Sequence, residues 1–512
     1  MMDMLVRLVW LIPLLPLLAA AAVALRVLSG RAAGDAAEPL TARLASGAAA
    51  LALLHLLALD LLALNQGVPG QVHVGTWFSS GSFAVPLSFA LDALSLPIAT
   101  LVAAIALVTL RFSVNYLHRE AGFHRFFLAM SLFSAGMLLI VLSGNAVLAF
   151  AGWELAGVSS FLLIGYAYER PTATGNALRA FVTNRIGDAG FILGIALAAI
   201  WLGTVEWPGI TAPGRLETLY AGLLALGFML AALAKSAQVP FSPWLGRALE
   251  GPTPSSAIFY GALMVHAGVY LTLRLEPLLI QAPAMMSLIA FIGLLTALYG
   301  YLGGLAQTDV KSTLIFATTA QVGLMFLECG LGLFTLAAWH LGLHAAWRAW
   351  QMLASPSYMH LAGHPASPAP RWLAGRQRLY TAALQRFWLE ALGDWLLVKP
   401  TQSLARDMRD LDDRVVSRLV GMPEDARAGL AAADARGGRD EIVHGRGLAG
   451  AMLEWCADRF YDFERRLVMQ ESGSRISRIL GFLGGYLLSV ESLLERPRYL
   501  LLLIMATFVV IL

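Results

Sequence analysis

Apolar segments long enough to cross a bilayer recur along most of this chain of 512 residues. Each exceeds the roughly 18 apolar residues that make a spanning helix plausible. Their number excludes a single cleaved signal peptide, and the first segment, residues 5–25, has no convincing small-residue cleavage site. The sequence therefore predicts an all-α polytopic membrane protein whose first helix is retained.

Composition agrees with a membrane protein and excludes several other classes. The chain is 58% hydrophobic and 13% charged, whereas soluble domains carry roughly 25% charged residues. Its two cysteines, Cys329 and Cys456, form neither a metal-ligand spacing nor a disulfide framework. The sequence has no CxxC, phosphate-binding or haem motif, and a net charge of +3 gives no nucleic-acid signature. We therefore expect no cofactor or metal bound to this chain.

Hydrophobicity predicts about twelve spanning helices, and the distribution of arginine orients them. The predicted spans are residues 5–25, 44–64, 86–110, 125–143, 145–167, 181–203, 218–239, 255–275, 284–304, 311–328 and 331–354, with a last one from about 497. Arginines concentrate in alternate loops, and the 65–88 loop has none. The excess of positive charge on the cytoplasmic side places that loop outside and the segment after 355 in the cytoplasm. Alternation within the 65–88 loop favours a small hairpin.

We divide the chain into four regions by composition. They are N-terminal helices over 1–124, a core over 125–355, a cytoplasmic or interfacial tail over 356–496, and a C-terminal anchor over 497–512. Apolar residues recur at three- and four-residue spacing over 380–398, which predicts an amphipathic helix lying on the membrane or against a partner. The alternative is an ordinary soluble helix. Residues 421–446 have the composition of a flexible linker.

Lysine is scarce, and its placement points to function. The chain has three lysines against 33 arginines, and two of them, Lys235 and Lys311, interrupt apolar runs. A charge inside a membrane segment costs from a few to ~10 kcal/mol and normally faces a protein or water-lined interior. Lysine also changes its protonation more readily than arginine when it is desolvated. Both lysines are therefore candidate proton-handling groups.

Glu154 is the acidic counterpart of these lysines, since it lies in the middle of an apolar helix. An intramembrane carboxylate and an ammonium group are tolerable as a pair, and each changes the proton affinity of the other. Such a pair is either a switch or a static ion pair between helices. Arg185 and Asp188 stand three residues apart, so they share a helix face. They either pair at a helix end or exchange partners with Glu154 and Lys235.

The segment after Lys235 predicts a broken helix. Four prolines prevent a continuous helix there: Pro240, Pro243, Pro252 and Pro254. Broken helices at membrane depth line cavities or face protein, an arrangement that transporters use at ion sites. His266 and Tyr260 in the next helix are possible relay members. The alternative for His266 is a buried imidazole that satisfies a backbone carbonyl.

A second candidate group begins at Lys311. His340, His344 and Arg348 recur every four residues, which stacks them on one helix face. Because histidine titrates near physiological pH, this column suits a proton wire. A metal site is the weaker alternative, because two histidines give too few ligands. We interpret Asp92 and Glu328 as structural acids or helix-end residues.

Several motifs resemble the antiporter-like proton-conducting subunits of respiratory complex I, especially its largest one, and of Mrp-type antiporters. They are FAGWELAGVSSFLLIGY, NRIGDAGF, KSAQVPFSPWL, ALMVHAGVYL and TDVKSTLIFATTAQVGLMF, between about 90 and 355. The resemblance implies a glutamate–lysine switch at Glu154 and Lys235 with Arg185 and Asp188 beside it. It also implies a hydrophilic axis through Lys311, His340 and His344.

Two positions depart from the family pattern. Tyr260 stands where the family usually has a histidine, and Arg348 stands where it has a lysine. An arginine is effectively always protonated, so Arg348 can tune a field but should not relay protons. The family is built from two inverted repeats. Residues 125–275 resemble the first repeat, whereas the second starts near 284 and is truncated after about 355.

The truncation makes the chain resemble the DabB family, the membrane subunits of inorganic-carbon accumulation complexes. That resemblance implies a bacterial inner-membrane protein and a large cytoplasmic DabA-like partner similar to a zinc carbonic anhydrase. Proton or sodium flow through the membrane subunit would drive hydration of CO2 to bicarbonate on the partner, which would hold the zinc. The alternatives are a proton-pumping subunit of complex I or a related hydrogenase, and a scaffold that conducts nothing.

Overall fold

The computed structural model describes residues 2–32, 34–80, 83–212, 214–361, 369–411 and 459. The predicted linker over 421–446 and the predicted anchor from 497 lie outside the described residues. The chain divides into two compact units. One unit comprises Met1–Ala24 and Ala37–Val398, and the other comprises Leu25–Ala36 and the chain from Lys399 onward.

Long helices account for most of the described chain. They are α1 Leu11–Leu28, α2 Glu38–Gln66, α3 Ser95–Tyr116, α4 Phe123–Leu142, α5 Ala146–Ile164, α6 Pro171–Leu202, α7 Thr218–Lys235, α8 Ala267–Arg274, α9 Pro283–Gly304, α10 Val310–Gly330, α11 Phe334–Leu361, α12 Gln377–Leu384 and α13 Lys399–Leu411. Shorter α-helices are Met2–Arg7, Trp207–Ile210, Pro243–Arg247, Thr253–Ser256, Glu276–Ile280, Arg371–Ala374 and Leu389–Gly393. Helix α13 belongs to the second unit, and its side chains through Arg409 are exposed.

Ten helical segments in the described part are long and apolar enough to cross a membrane. They correspond to the first ten predicted spans, so the prediction of about twelve is corrected to ten there. The eleventh prediction, 331–354, falls on α11, which is a long helix but does not meet the same apolar criterion. His340, His344 and Arg348 lower its hydropathy.

A β-hairpin precedes α3, so the protein is mostly rather than entirely helical. Strands β1 Gly70–Ser80 and β2 Phe83–Leu91 pair antiparallel with two register shifts. The hairpin predicted from the alternation within the 65–88 loop is therefore confirmed. It also corrects the predicted helix at 86–110, which begins at Ser95 because β2 runs to Leu91. Hydrophobicity alone does not distinguish a buried strand end from the start of a helix.

The predicted helix break after Lys235 is confirmed and is longer than expected. Helix α7 ends at Lys235, and two short helices, Pro243–Arg247 and Thr253–Ser256, follow. The predicted span at 255–275 is present as Thr253–Arg274, but its backbone is irregular, because Ala257–Ala262 forms a π-helical turn and Met264–His266 a 3-10 turn before α8. The apolar window of this span is entirely buried. Such irregular turns within helices frequently occur at functional sites.

Small residues allow the central helices to approach closely. A Cβ atom added at Gly152 of α5 would lie 2.7 Å from the carbonyl oxygen of Gly136 in α4. Side chains larger than hydrogen are therefore excluded where these helices cross. In membranes such small-residue contacts drive helix association, because burial of apolar surface contributes little there.

The predicted amphipathic helix at 380–398 is not continuous. Three residues with left-handed backbone angles, Arg386, Phe387 and Trp388, separate α12 from Leu389–Gly393, and Asp394–Val398 is a π-helical turn. The segment packs on the core through Arg179, which lies 3.1 Å from the Glu390 carboxylate and 3.0 Å from that of Asp394.

The hairpin lies at the opposite end of the helices from this segment. The amide of Gln71 donates to Glu206 at 2.7 Å, just after the end of α6, and the amide of Asn145 donates to the Pro86 carbonyl at 2.8 Å. Arg179, by contrast, lies near the start of α6. The bundle therefore has a hairpin end and an arginine-rich end.

Candidate functional site

Three charged side chains meet between α5 and α6. Arg185 donates from Nη1 to the Glu154 carboxylate, and its Nη2 lies 2.8 Å from Asp188 Oδ2. The three-residue spacing thus places Arg185 and Asp188 on one face, and Arg185 also reaches across to the neighbouring helix. Arg185 therefore holds two carboxylates at once.

Lys235 lies beside this group without a direct ion pair to Glu154 in the part of the chain described. Its side chain is fully enclosed, with 1% of the residue exposed. Its Nζ donates to the Trp153 carbonyl at 3.2 Å and lies 5.0 Å from the centre of the Trp153 ring. A static ion pair between Glu154 and Lys235 is therefore not the arrangement found, because Arg185 occupies the carboxylate.

Gly157 explains how two cations approach each other here. A Cβ atom at this position would lie 3.1 Å from Arg185 Nη2 and 3.3 Å from Lys235 Nζ. Both cations therefore face the same bare stretch of α5 backbone. Asp188, Arg185 and Glu154 all act electrostatically on Lys235. The proton occupancy of Lys235 is consequently coupled to the position of Arg185 and to the charge on both carboxylates.

Three buried carboxylate oxygens in this group have no hydrogen-bond partner among the described residues, namely Glu154 Oε1 and both oxygens of Asp188, of which Oδ2 is in ion-pair contact with Arg185. Buried polar atoms nearly always require a partner. A proton or a water molecule supplies one without moving a helix. The group is therefore suited to protonation changes, in addition to fastening α5 to α6.

A second buried group joins the broken segment to α11. His266 Nε2 and His344 Nδ1 lie 2.9 Å apart, and Arg348 Nη2 lies 3.5 Å from His344 Nε2. All three residues are buried. A bond between two imidazoles requires one nitrogen to donate and the other to accept, so a proton can be exchanged along it. The alternative of His266 satisfying only a backbone carbonyl is not the arrangement found.

The π-helical turn positions this second group. It brings Gly261 against α11, where an added Cβ atom would lie 3.3 Å from Arg348 Cγ. Tyr260, within the same turn, is 1% exposed, and its hydroxyl has no hydrogen-bond partner among the described residues. Tyr260 is thus not linked to the histidine pair. Sequence periodicity gives no sign of a π turn, so this arrangement was not predicted.

His340 binds residues that the sequence analysis did not assign to the site. Its Nδ1 lies 2.9 Å from Glu328 Oε1, and its Nε2 lies 2.8 Å from Gln321 Oε1. Its ring centre is 6.2 Å from that of His344. Glu328 was interpreted as a structural or helix-end acid, yet it bonds a candidate relay residue. The signal available in the sequence was its position opposite His340 across the short turn between α10 and α11.

Lys311 does not contact the histidines, although it lies on the same pair of helices. Its Nζ donates to Thr253 Oγ1 at 2.6 Å, and Thr253 also bonds the Tyr116 hydroxyl at 3.0 Å. Lys311 opens α10, whereas His340 lies near the start of the antiparallel α11. The two residues therefore lie at opposite ends of this helix pair, with Arg348 between them.

Asp92 has the helix-end role expected for it. Its Oδ1 accepts from the backbone N–H of Ser95 at 2.8 Å at the start of α3, and its carboxylate pairs with Arg274. Burial acts to raise the pKa of Asp92, but the hydrogen bonds and charge of Arg274 outweigh it and lower the pKa. The pair closes the hairpin end of α8.

Comparison with known proteins identifies the core. Residues 143–364 match a family model described as the NADH:quinone oxidoreductase/Mrp antiporter membrane region. Residues 77–127 match one described as the N-terminus of complex I chain 5. NAD(P)H-quinone oxidoreductase chain 5 of Synechocystis is 38% identical over 303 residues, which are 58% of this chain and 44% of that protein.

A bacterial relative and two solved structures agree. NADH-quinone oxidoreductase subunit L of Mycobacterium tuberculosis is 38% identical over 322 residues, covering 62% of this chain and 51% of that protein. This chain thus spans about half the length of the curated relatives it matches. A chain of the Mrp complex from a Dietzia species aligns with a TM-score of 0.59 and 26% identity, over 74% of this chain and 42% of that one.

The second structure supports the fold alone, because its identity is low. It is a chain of the archaeal membrane-bound sulfane sulfur reductase, with a TM-score of 0.58 and 22% identity, over 70% of this chain and 57% of that chain. The family match at residues 143–364 covers the region of the two buried groups. The broken helix after Lys235 lies in the same region. On these grounds residues 143–364 are similar to the membrane subunits of complex I and of Mrp antiporters.

Proposed function

We propose that this chain is the proton- or sodium-conducting membrane subunit of a multi-subunit energy-coupling complex. The observation that carries the proposal is the pair of buried groups beside the broken helix. Glu154, Arg185, Asp188 and Lys235 form the first group, and His266, His344 and Arg348 form the second. Buried ionisable residues at membrane depth are costly and mark ion or proton pathways.

The first group can work by exchanging ion-pair partners. Arg185 now holds Glu154 and Asp188, and Lys235 has only the Trp153 carbonyl. Protonation of Glu154 weakens its hold on Arg185 and leaves Arg185 with Asp188. Movement of Arg185 away from Gly157 changes the field at Lys235, which can then take up or release a proton. Arg185 is therefore a moving intermediate in the proposed switch between Glu154 and Lys235.

The second group receives the proton within the protein interior. Helices α7 and α8 pack directly, and Thr272 Oγ1 lies 3.7 Å from the sulfur atom of Met229. The path from Lys235 to His266 therefore remains between packed helices. His266 and His344 can pass a proton through their shared bond, and the Glu328–His340 pair extends the axis. Arg348 keeps its proton and sets the field at His344.

Proteoliposomes containing the purified complex test conduction. Lys235→Ala and Glu154→Gln should each abolish proton uptake driven by a membrane potential, with normal assembly. Lys399→Ala is the matched control, since it removes a lysine whose side chain is exposed. The scaffold hypothesis predicts no proton uptake in the parent or the control, and unchanged activity of the complex in both core variants. Activity that survives an uncoupler but not removal of sodium assigns sodium as the ion.

The more specific form of the proposal is that the complex accumulates inorganic carbon. In this form a large DabA-like subunit holds the zinc, and cation flow through this chain drives CO2 hydration to bicarbonate. One support is the sequence resemblance. The other is the proposed truncation of the second repeat: the family match ends at 364, and the interfacial segment, residues 371–398, begins soon afterwards. The second candidate is a proton-pumping subunit of complex I or a related hydrogenase, favoured by the names of the relatives.

Purification from the native membrane separates these two candidates. A large zinc-containing subunit that purifies with the chain supports the carbon complex. Flavin and iron–sulfur subunits purifying with it instead support the complex I or hydrogenase form. Bound zinc should then be measured on the separated partner, because we expect no metal on this chain.

We also propose a bacterial inner-membrane location with the tail in the cytoplasm. The support is the arginine-rich end of the bundle, where Arg179 and Arg247 bind Glu390 of the interfacial segment. A docking surface for a cytoplasmic partner would include residues 377–398. Labelling of engineered cysteines at exposed positions in this segment and in the hairpin, in intact cells and in inverted vesicles, tests the orientation.

A further inference from the structure

Three side chains continue from the histidine pair toward the hairpin end. His266, Tyr270 and Arg274 recur every four residues, so they stack along α8. Arg274 Nη2 donates to the Tyr270 hydroxyl at 2.7 Å, and that hydroxyl donates to the Val141 carbonyl at 2.5 Å. Arg274 also pairs with Asp92. A connected row of polar groups thus runs from near His266 to Asp92.

A small pocket separates His266 from Tyr270. Its wall is almost entirely apolar and includes Ile98, Met137 and Leu341, and His266 and Tyr270 are the lining residues that carry titratable groups. It has room for about one water molecule. His266 is 3% exposed, and its Nδ1 has no hydrogen-bond partner within the described residues. A buried imidazole nitrogen nearly always binds a polar partner, and a water that enters this pocket would supply one.

The outer end of the row reaches solvent. The Asp92 side chain is 34% exposed, whereas that of Arg274 is 11% exposed. Arg274 is therefore held between an outer carboxylate and the inner Tyr270 hydroxyl. Because arginine keeps its proton, Arg274 does not relay protons itself. Its position instead decides whether water can connect the pocket with the hairpin end.

We propose that the Asp92–Arg274 pair is the outer gate of a water-linked outlet that leads from His266 past Tyr270 to the hairpin end. This inference rests on the proposed conducting function. The gate is closed when Arg274 bonds both Asp92 and Tyr270. When the ion pair separates, Arg274 can turn toward solvent and water can extend from the pocket outward.

The proton transfers through the outlet balance without an additional reactant. A proton that arrives at His344 Nε2 makes this imidazole cationic. His344 then gives its Nδ1 proton to His266 Nε2 and is neutral again, and His266 gives its own Nδ1 proton to the pocket water. His266 stays neutral and changes tautomer, and the water passes its excess proton outward. The charged and titratable groups that act on His266 are His344, His340 and Arg348. The positive charge of Arg348 on the far side of His344 favours movement away from it.

Asp92→Asn tests the gate while preserving local structure. The amide oxygen of asparagine can still accept from the Ser95 N–H, but the charge that holds Arg274 is lost. We expect passive proton leak in proteoliposomes to rise about tenfold, since one charge-assisted hydrogen-bonded pair shifts an open–closed equilibrium by this order. Asp60→Asn is the matched control, because Asp60 accepts a hydrogen bond from Thr100 at 2.6 Å and lies away from α8.

Thiol labelling tests the same gate without ion flow. Ala267→Cys places a thiol in the pocket wall, in a chain carrying Cys329→Ser and Cys456→Ser. A small methanethiosulfonate reagent added from the hairpin side should react about tenfold faster when Asp92→Asn is also present. Tyr270→Phe, which removes the other bond to Arg274, should accelerate labelling too and serves if Asp92→Asn does not assemble.

The outcomes separate the gate from conduction. Labelling rates equal to those of the parent chain and of Asp60→Asn in both gate variants overturn the gate. If the parent chain conducts no ions, the proposed conducting function fails, whatever the labelling shows. Faster labelling together with that result leaves a gated water path that does not conduct ions. Faster labelling together with loss of conduction in Lys235→Ala supports both proposals.

Discussion

His266 Nε2 and His344 Nδ1 lie 2.9 Å apart, so one hydrogen bond joins two buried imidazoles from different parts of the chain. His266 follows the π-helical turn, and His344 belongs to α11. The bond therefore links the broken segment after Lys235 to α11. In the proposed mechanism every proton leaving the group around Lys235 crosses this bond.

Replacement of His344 should interrupt conduction without preventing assembly. In His344→Gln the amide retains hydrogen-bonding capacity but cannot exchange protons, and we expect about 100-fold slower uptake, as for loss of an acid–base group. Uptake is measured with a pH-sensitive dye inside proteoliposomes. His118→Gln is the control, since His118 is exposed and bonds Glu38 at 2.8 Å. Equal rates in the two variants would exclude His344 from the path.

Gly157→Ala tests whether Arg185 and Lys235 must share space. The new methyl group would lie 3.1 Å from Arg185 Nη2 and 3.3 Å from Lys235 Nζ, so both flexible side chains have to move. We expect conduction to fall about tenfold, because small misplacements in a proton-transfer site are costly. Gly222→Ala in α7 is the control, because nothing lies within 4 Å of its added Cβ atom. Unchanged conduction in both would show that the two cations need not approach each other.

Glu328→Gln tests the residue that the sequence analysis interpreted as structural. The glutamine side chain can still bond His340, but the negative charge that faces the imidazole is lost. We expect about tenfold slower conduction with a changed dependence on pH. Gln321→Glu provides the converse change on the other side of His340, at 2.8 Å. A structural role alone predicts lower stability with an unchanged pH profile.

Much of the fold was predictable because membrane helices are encoded by composition. Ten of the predicted spans occur, and the prolines after Lys235 correctly marked the helix break. The π turn at Ala257–Ala262 was not predictable, since its apolar sequence fits an ordinary helix equally well. Tertiary contacts with α11 determine that backbone. The same holds for the left-handed residues Arg386, Phe387 and Trp388, which interrupt a regular apolar pattern.

The sequence identified the residues of the site more readily than the pairs that they form. An isolated charge in an apolar helix is visible in any sequence, so Glu154, Lys235 and Arg185 were all selected. The sequence does not specify which carboxylate each cation binds. Arg185 is long enough to reach Glu154 and Asp188 together, and the lysine is left with a backbone carbonyl. Partner choice depends on helix rotation and on the space beside Gly157, which one-dimensional periodicity does not record.

Docking of the interfacial segment, residues 371–398, on the helical core should weaken at low pH. Burial acts to raise the pKa of Glu390, but its hydrogen bond and charge contact with Arg247, together with Arg386 and Arg179, lower the pKa below the ordinary 4.5. A lowered folded-state pKa contributes stability that is present above the ordinary value and is lost as pH falls through the folded value. Because Arg179 and Arg247 are partly exposed, the contribution is about 1 kcal/mol.

Thermal unfolding of the purified chain measures this contribution. The parent should lose stability below about pH 4.5 relative to Glu390→Gln, which lacks the titrating group and is already less stable at neutral pH. Glu169→Gln is the control, because Glu169 is an exposed acid on the core. A constant difference between the parent and Glu390→Gln at every pH would contradict the assignment.

Arg348 offers the sharpest test of how a fixed charge serves the histidine pair. It is buried, and its Nη2 lies 3.5 Å from His344 Nε2. Arg348→Ala should slow conduction about tenfold, because the field that orients proton transfer is lost. Arg348→Lys retains the charge but introduces a group that can release its proton. We therefore expect conduction within about threefold of the parent at neutral pH and a new decline at alkaline pH, as the lysine loses its charge. The arginine and lysine side chains pack similarly against Gly261. A purely structural role for Arg348 therefore predicts the same pH profile in the parent and in Arg348→Lys.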